Sequence, residues 1–160
     1  MLTAFFESIK YVGHLYPVAF LRIFLGYHWL NQALLDYQTG LFTSQVYIEQ
    51  VASSDYIYNF PMWYKGLFDS IAFPYWSITS HVIIGVSFLV GLTFVLGFLI
   101  RPFGIIGILI SFHHVVFSSG YHNILHSTFV ALFVTMVAIG AGRCVGFDYY
   151  FYKRNRGLWW

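Results

Sequence analysis

Six of the chain's seven histidines fall where a helical membrane protein would build a site: His28, His81, His113, His114, His122 and His126. A neutral imidazole ligates transition metals, and pairs of imidazoles on facing helices hold haem iron. A histidine also donates to or accepts from a quinone oxygen, and titrates near neutral pH as a proton relay. His122 and His126 are four residues apart, so on a helix they share one face and can share a ligand. No glutamate lies between them as in a HExxH zinc site. The six residues delimit a candidate cofactor site for a quinone or a metal (copper, zinc or haem iron), with His122 and His126 as the metal pair. A plainer reading stands beside it, in which these histidines only bond backbone carbonyls, loop acids or water.

The elements that must position them are four apolar stretches, Tyr16–Leu35, Ile78–Ile100, Pro102–Phe117 and Asn123–Ala141. As helices rising ~1.5 Å per residue, each is about long enough to cross a bilayer core of ~30 Å. The chain is 59% hydrophobic and 9% charged, against about 25% charged in a soluble domain. The expected fold is all-α: one domain over residues 1–160, an integral membrane four-helix bundle. With alternating spans, His28, His81, His113, His114, His122 and His126 all lie in the outer half. His113 and His114 point about 100° apart, so one of them faces the interior. His14 is left at the opposite end.

Charge sets the expected orientation. Lys10, Arg101, Arg143, Lys153, Arg154 and Arg156 all fall on one side of a four-span layout. The 37–77 loop on the other side carries Glu49, Asp55 and Asp69 with only Lys65. The positive-inside rule puts both termini in the cytoplasm. The aromatic outer loop is expected to fold over the outer ends as a lid or a docking surface, with a short helix over Met62–Ala72 opened by Pro61. Leu2–Val12 reads as an amphipathic surface helix, and Glu7 argues against a cleavable signal. Arg22, inside the first span, is expected to snorkel to lipid phosphates or to pair with an acid such as Asp148. Glycines at 85, 91, 97, 104 and 107 permit close helix approach. Asn31 and Gln32 are placed to bond the histidines or the lid.

Several classes are excluded. The Gly140–Arg143 run ends an apolar helix instead of following a strand, so it is not a nucleotide fingerprint. Acids are too few for paired-carboxylate hydrolysis, and the single Cys144 rules out an intrachain disulfide or CxxC chemistry. The expected partners are membrane lipids and other subunits of a membrane complex, with no nucleic acid.

Three segments carry a resemblance. LRIFLGYHWLNQALLD in the first span, GLTFVLGFLIRPFG closing the second and GAGRCVGFD closing the fourth resemble the DoxX/DoxD family of small four-helix membrane proteins. Their order and spacing cover about residues 20–150. The resemblance implies a multi-pass bundle in a prokaryotic cytoplasmic membrane, with Arg22, Arg101, Arg143 and Asp148 at motif positions and acting as structural polar residues. DoxD-like members are membrane subunits of thiosulfate:quinone oxidoreductase, and other members are associated with redox assemblies. The expected function is a small integral subunit of a membrane redox complex, with quinone or metal near the outer histidines. The alternative is a non-catalytic accessory subunit that assembles a larger complex.

Overall fold

The computed structural model describes residues 16–40, 63, 66, 70–71, 74–117 and 121–154. Its helices are α1 (Tyr16–Thr39), α2 (Trp76–Leu96), α3 (Ile100–Phe117), α4 (Tyr121–Ile139) and α5 (Asp148–Arg154), with a 3-10 turn at Ala141–Arg143 before the last. No strand occurs among the described residues. The amphipathic helix expected at Leu2–Val12, His14, most of the 37–77 loop with its expected lid, and the tail beyond Arg154 lie outside the described residues.

Two helices among the described residues are long and apolar enough to cross a membrane: Trp76–Leu96 and His122–Ile139. Ile100–Val115 is apolar but shorter. Helix α1 has the length, at 24 residues, but Arg22, His28, Asn31, Gln32 and Asp36 interrupt its apolar run.

Each long helix buries one stripe at three- and four-residue spacing. On α1 the stripe is Ala19, Arg22, Leu25, Gly26, Trp29 and Ala33. On α2 it is Trp76, Ser80, Ile84, Ser87, Val90, Gly91 and Phe94. The two helices pack antiparallel, with Gly26 against Gly91, Phe94 and Val95, and Gly91 against Leu30. Helices α3 and α4 form a second antiparallel pair, in which Gly104 meets Val137 and Gly107 meets Phe133. Between the pairs lies an aromatic core: Phe94 and Phe133 meet edge to face at 4.9 Å, and Trp29 meets Phe133 at 5.6 Å. The outward faces stay apolar, including Phe20, Phe24, Ile78, Leu109 and Ile124.

One end of this assembly is closed by a polar knot. Arg22 is fully buried, and its guanidinium donates to the carbonyls of Ala141, Cys144 and Val145, each at 2.9 Å. Its hydrogen bonds thus go to backbone carbonyls just beyond the C-terminus of α4, where helix dipoles leave partial negative charge, while the expected acid partner Asp148 attracts it through charge alone. Asp148 acts on a different helix. Its carboxylate accepts the backbone N–H groups of Leu99 (2.6 Å) and Ile100 (3.1 Å), capping the N-terminus of α3 from 48 residues away. Arg143 lies over the Tyr152 ring at 4.1 Å, a cation–π contact.

The knot also explains why α2 stops at Leu96, short of the expected Ile100. Gly97 turns the chain with φ 68°, and a Cβ there would collide with the Arg22 guanidinium and with Gly146. Helix α3 starts at Ile100 rather than at Pro102, so Arg101 sits in its first turn instead of at a hairpin tip. Pro102 falls in that same first turn, where its missing N–H costs nothing.

The knot makes two checkable demands. Asp148→Asn keeps one acceptor oxygen where two are used, so we expect a loss of roughly 1–3 kcal/mol, read as a lower thermal midpoint. Cys144 is fully buried beside Arg22. Burial pushes its thiol above the usual range, against the opposing pull of Arg22. Because the thiolate is the reactive form, iodoacetamide should label Cys144 far more slowly in the folded protein than in the unfolded chain.

Candidate functional site

At the end away from the knot, the two helix pairs leave a cavity of ≈ 300 Å³ between them. Every long helix contributes to its wall. Helix α1 supplies His28, Trp29, Gln32 and Asp36; α2 supplies Ile83, Ile84 and Ser87; α3 supplies His114; α4 supplies His122, Leu125, His126 and Phe129. The helix register puts this cavity far from the knot: His114 is 14 residues beyond Ile100, about 20 Å along the helix.

The structure therefore gathers His28, His114, His122 and His126. Ring contacts organise them. His114 and His126 stack across α3 and α4 with centroids 4.8 Å apart and planes 19° from parallel. His28 lies against Phe129 at 4.6 Å, and Trp29 stands 6.2 Å from His114. Of the adjacent pair on α3, His114 lines the cavity and His113 does not. The His113 ring remains in contact with His114 at 5.8 Å. His81 is not brought to the site. It is exposed, and its Nδ1 meets the Ser77 carbonyl at 2.5 Å. The reason is angular: the buried stripe of α2 runs through Ser80, Ile84 and Ser87, and His81 is one residue, or about 100°, off it.

Among the described residues no group of three or more His, Cys, Asp or Glu side chains is placed to hold a metal ion. His122 and His126 share the cavity wall with His28, His114 and Asp36, but these side chains do not converge on one point. The stacked His114 and His126 are equally unsuited to haem. Two imidazoles that ligate one iron aim nitrogen atoms at it from opposite sides of the porphyrin, whereas these rings present their faces to each other.

Sequence spacing alone did not single out Trp29, Asp36 or Phe129. Trp29 is only 4% exposed, and its Nε1 finds no hydrogen-bond partner among the described residues; nor does Nδ1 of His126. Gln32 donates from Nε2 to the Asp36 carboxylate at 2.9 Å, which ties two cavity-lining groups together. A signal for these residues exists: Arg22, Leu25, Trp29, Gln32 and Asp36 follow one another at three- and four-residue steps, so a face that starts at a buried arginine leads straight to them.

No family model, no curated protein and no solved structure matches the chain.

Proposed function

We propose that this protein is a small integral subunit of a membrane redox complex, and that its cavity binds a quinone. The observation that carries this reading is the histidine-lined cavity between two helix pairs whose outer faces are apolar. Phe20, Phe24, Ile78, Leu109 and Ile124 point outward from four different helices, the pattern expected where lipid is the solvent. In this reading α1 and α3 complete a four-helix transmembrane bundle with the two helices of spanning length. Arg22 is then tolerated inside a span because three carbonyls accept from its Nη1 and Nη2 atoms, leaving only Nε without a partner among the described residues.

The knot end carries Arg101, Arg143, Lys153 and Arg154, so it faces the cytoplasm by the positive-inside rule, together with both termini. The cavity then opens in the outer half of the membrane, where a quinone exchanges protons with the outside. The DoxX/DoxD likeness points the same way. Of the residues it puts at motif positions, Arg22 and Asp148 belong to the knot and Arg143 stacks on Tyr152 beside it. A prokaryotic cytoplasmic membrane is the corresponding location. The reading is built on a quinone because no group of three donors converges on a metal position among the described residues.

The test is purification from native membranes in mild detergent, with stoichiometric partners identified by mass spectrometry and quinones extracted into organic solvent and quantified. An oxidoreductase partner at equal stoichiometry with co-purified quinone is the expected result. Recovery inside a large complex that holds a full set of redox centres elsewhere, with no quinone retained by this subunit, would favour the accessory role instead. The double variant His122→Ala/His126→Ala is expected to lower turnover of the complex while leaving its assembly intact.

A further inference from the structure

We infer that Trp29 and His126 are the two residues that hydrogen-bond the cavity's ligand, and that this ligand is a neutral flat ring bearing carbonyl oxygens. The inference rests on the reading of the cavity as a ligand site and assigns the recognition chemistry within it.

The first constraint is the indole. A tryptophan Nε1–H can only donate, and the Trp29 side chain lies on the cavity wall, 96% removed from solvent, with that donor unsatisfied. A buried donor without an acceptor costs roughly 1–3 kcal/mol. The ligand atom that meets it must therefore be an acceptor. Ammonium and guanidinium groups have none to offer, and a hydrocarbon tail has nothing polar at all.

The second constraint is His126. Its Nδ1 is also buried and unpartnered on the same wall, while the ring is held in place by its stack on His114. As the Nδ1–H tautomer it is a second donor. Trp29 and His126 both flank Phe129, at 6.4 and 6.0 Å between ring centroids, so the two donor-bearing rings border the same part of the cavity wall.

The third constraint is charge. Asp36 lines the same cavity, and a carboxylate in a low-dielectric setting repels an anionic guest. Phosphates and carboxylates are disfavoured, and an uncharged oxygen acceptor remains. The other walls, including Leu125, Ile84 and the Phe129 ring, offer apolar surface to a flat body. A volume of ≈ 300 Å³ sits at the small end of ligand cavities, roughly 300–1,000 Å³. It suits a one- or two-ring head group. A quinone head group has all of these properties, with its isoprenoid tail left to the bilayer.

The experiment uses the full chain in lipid nanodiscs with ¹⁵N-labelled tryptophan, titrated with decylubiquinone and with menadione. Trp29→Phe keeps the ring, removes the donor and assigns the Trp29 indole resonance. His126→Phe keeps the stack on His114 and removes the nitrogen. The expected result is a quinone-dependent shift of the Trp29 indole N–H resonance. Affinity should fall about 5–10-fold for each variant, the equivalent of one hydrogen bond each, with His81→Ala binding as wild type does. Thermal midpoints close to wild type show that the variants fold. If both variants bind quinone as tightly as wild type, the recognition assignment is overturned while quinone binding stands. If the folded wild-type protein, with Cys144 protected, binds neither quinone, the functional reading falls with it. A shift of the Trp29 resonance by naphthoate, an anionic ring, at equal or lower concentration would overturn the neutral-ligand class.

Discussion

Arg22→Ala is expected to destabilise this protein by about 4 kcal/mol or more. Three carbonyls, those of Ala141, Cys144 and Val145, lose the guanidinium donor at once. Each buried acceptor left unsatisfied costs roughly 1–3 kcal/mol. A void the size of most of an arginine side chain adds a packing penalty. The guanidinium's own desolvation cost is relieved by the substitution, which keeps the net from being larger still. Asp148 cannot take over, since it is itself an acceptor already engaged with Leu99 and Ile100. Val145 also holds φ 50°, an unfavourable backbone setting for a β-branched residue, and the Arg22 bond to its carbonyl helps to keep it there. For a chain of this size the thermal midpoint should drop by about 10 °C or more. Alkylation of Cys144 gives a local readout: its rate should rise sharply in Arg22→Ala even below the melting transition. Arg22→Lys keeps the charge but not the planar fork, so it should reach fewer carbonyls and fall between the two. A midpoint within about 2 °C of wild type for Arg22→Ala would show that the knot is not what joins α1 to the far end of α4.

Much of this arrangement was legible in the sequence because it depends on local patterns. The apolar runs located all four long helices to within a few residues, and the change of helix at Gly97–Ile100 is marked by glycine and proline. The end of the helix assembly to which His28, His81, His113, His114, His122 and His126 belong followed from counting turns. What was not legible depends on rotation and on distant partners. His81 was grouped with the other histidines by depth alone, yet one residue of helical phase turns it away from the cavity. Arg22 was expected to meet a lipid phosphate or an acid, and instead it reaches carbonyls 119 to 123 residues away, a partner that no local window contains. Gly85 was grouped with Gly91 as a contact glycine, but a Cβ on Gly85 would meet nothing. Helix–helix phase separates these two glycines, and it becomes visible only once the helices are packed.

That separation supplies the second large expected effect. A Cβ on Gly91 would lie 2.6 Å from the backbone nitrogen of Leu30 and 2.9 Å from the carbonyl oxygen of Gly26. A Cβ on Gly26 would lie 2.7 Å from the backbone nitrogen of Val95. Each of these obstacles is main chain inside a helix, so no rotamer change can clear the way. Gly91→Ala must push α1 and α2 apart along their whole crossing. The cost of such overpacking is about 1–3 kcal/mol and rises where backbone is involved; we expect the upper end or beyond. The displacement also propagates, because the face of α1 that carries Gly26 carries Trp29, and the face of α2 that carries Gly91 carries Ser87 and Ile84, all of them on the cavity wall. Gly91→Ala should therefore lose both thermal stability and ligand affinity. Gly85→Ala is the matched comparison on the same helix. With open space around its Cβ and a helical backbone, it should stabilise the protein by about 0.5–1 kcal/mol through reduced freedom of the unfolded chain. Opposite signs for two identical substitutions six residues apart would be explained by helix phase and not by helix propensity. Equal effects would mean that α1 and α2 do not cross at Gly26 and Gly91, and the cavity would then have to be rebuilt on a different helix pairing.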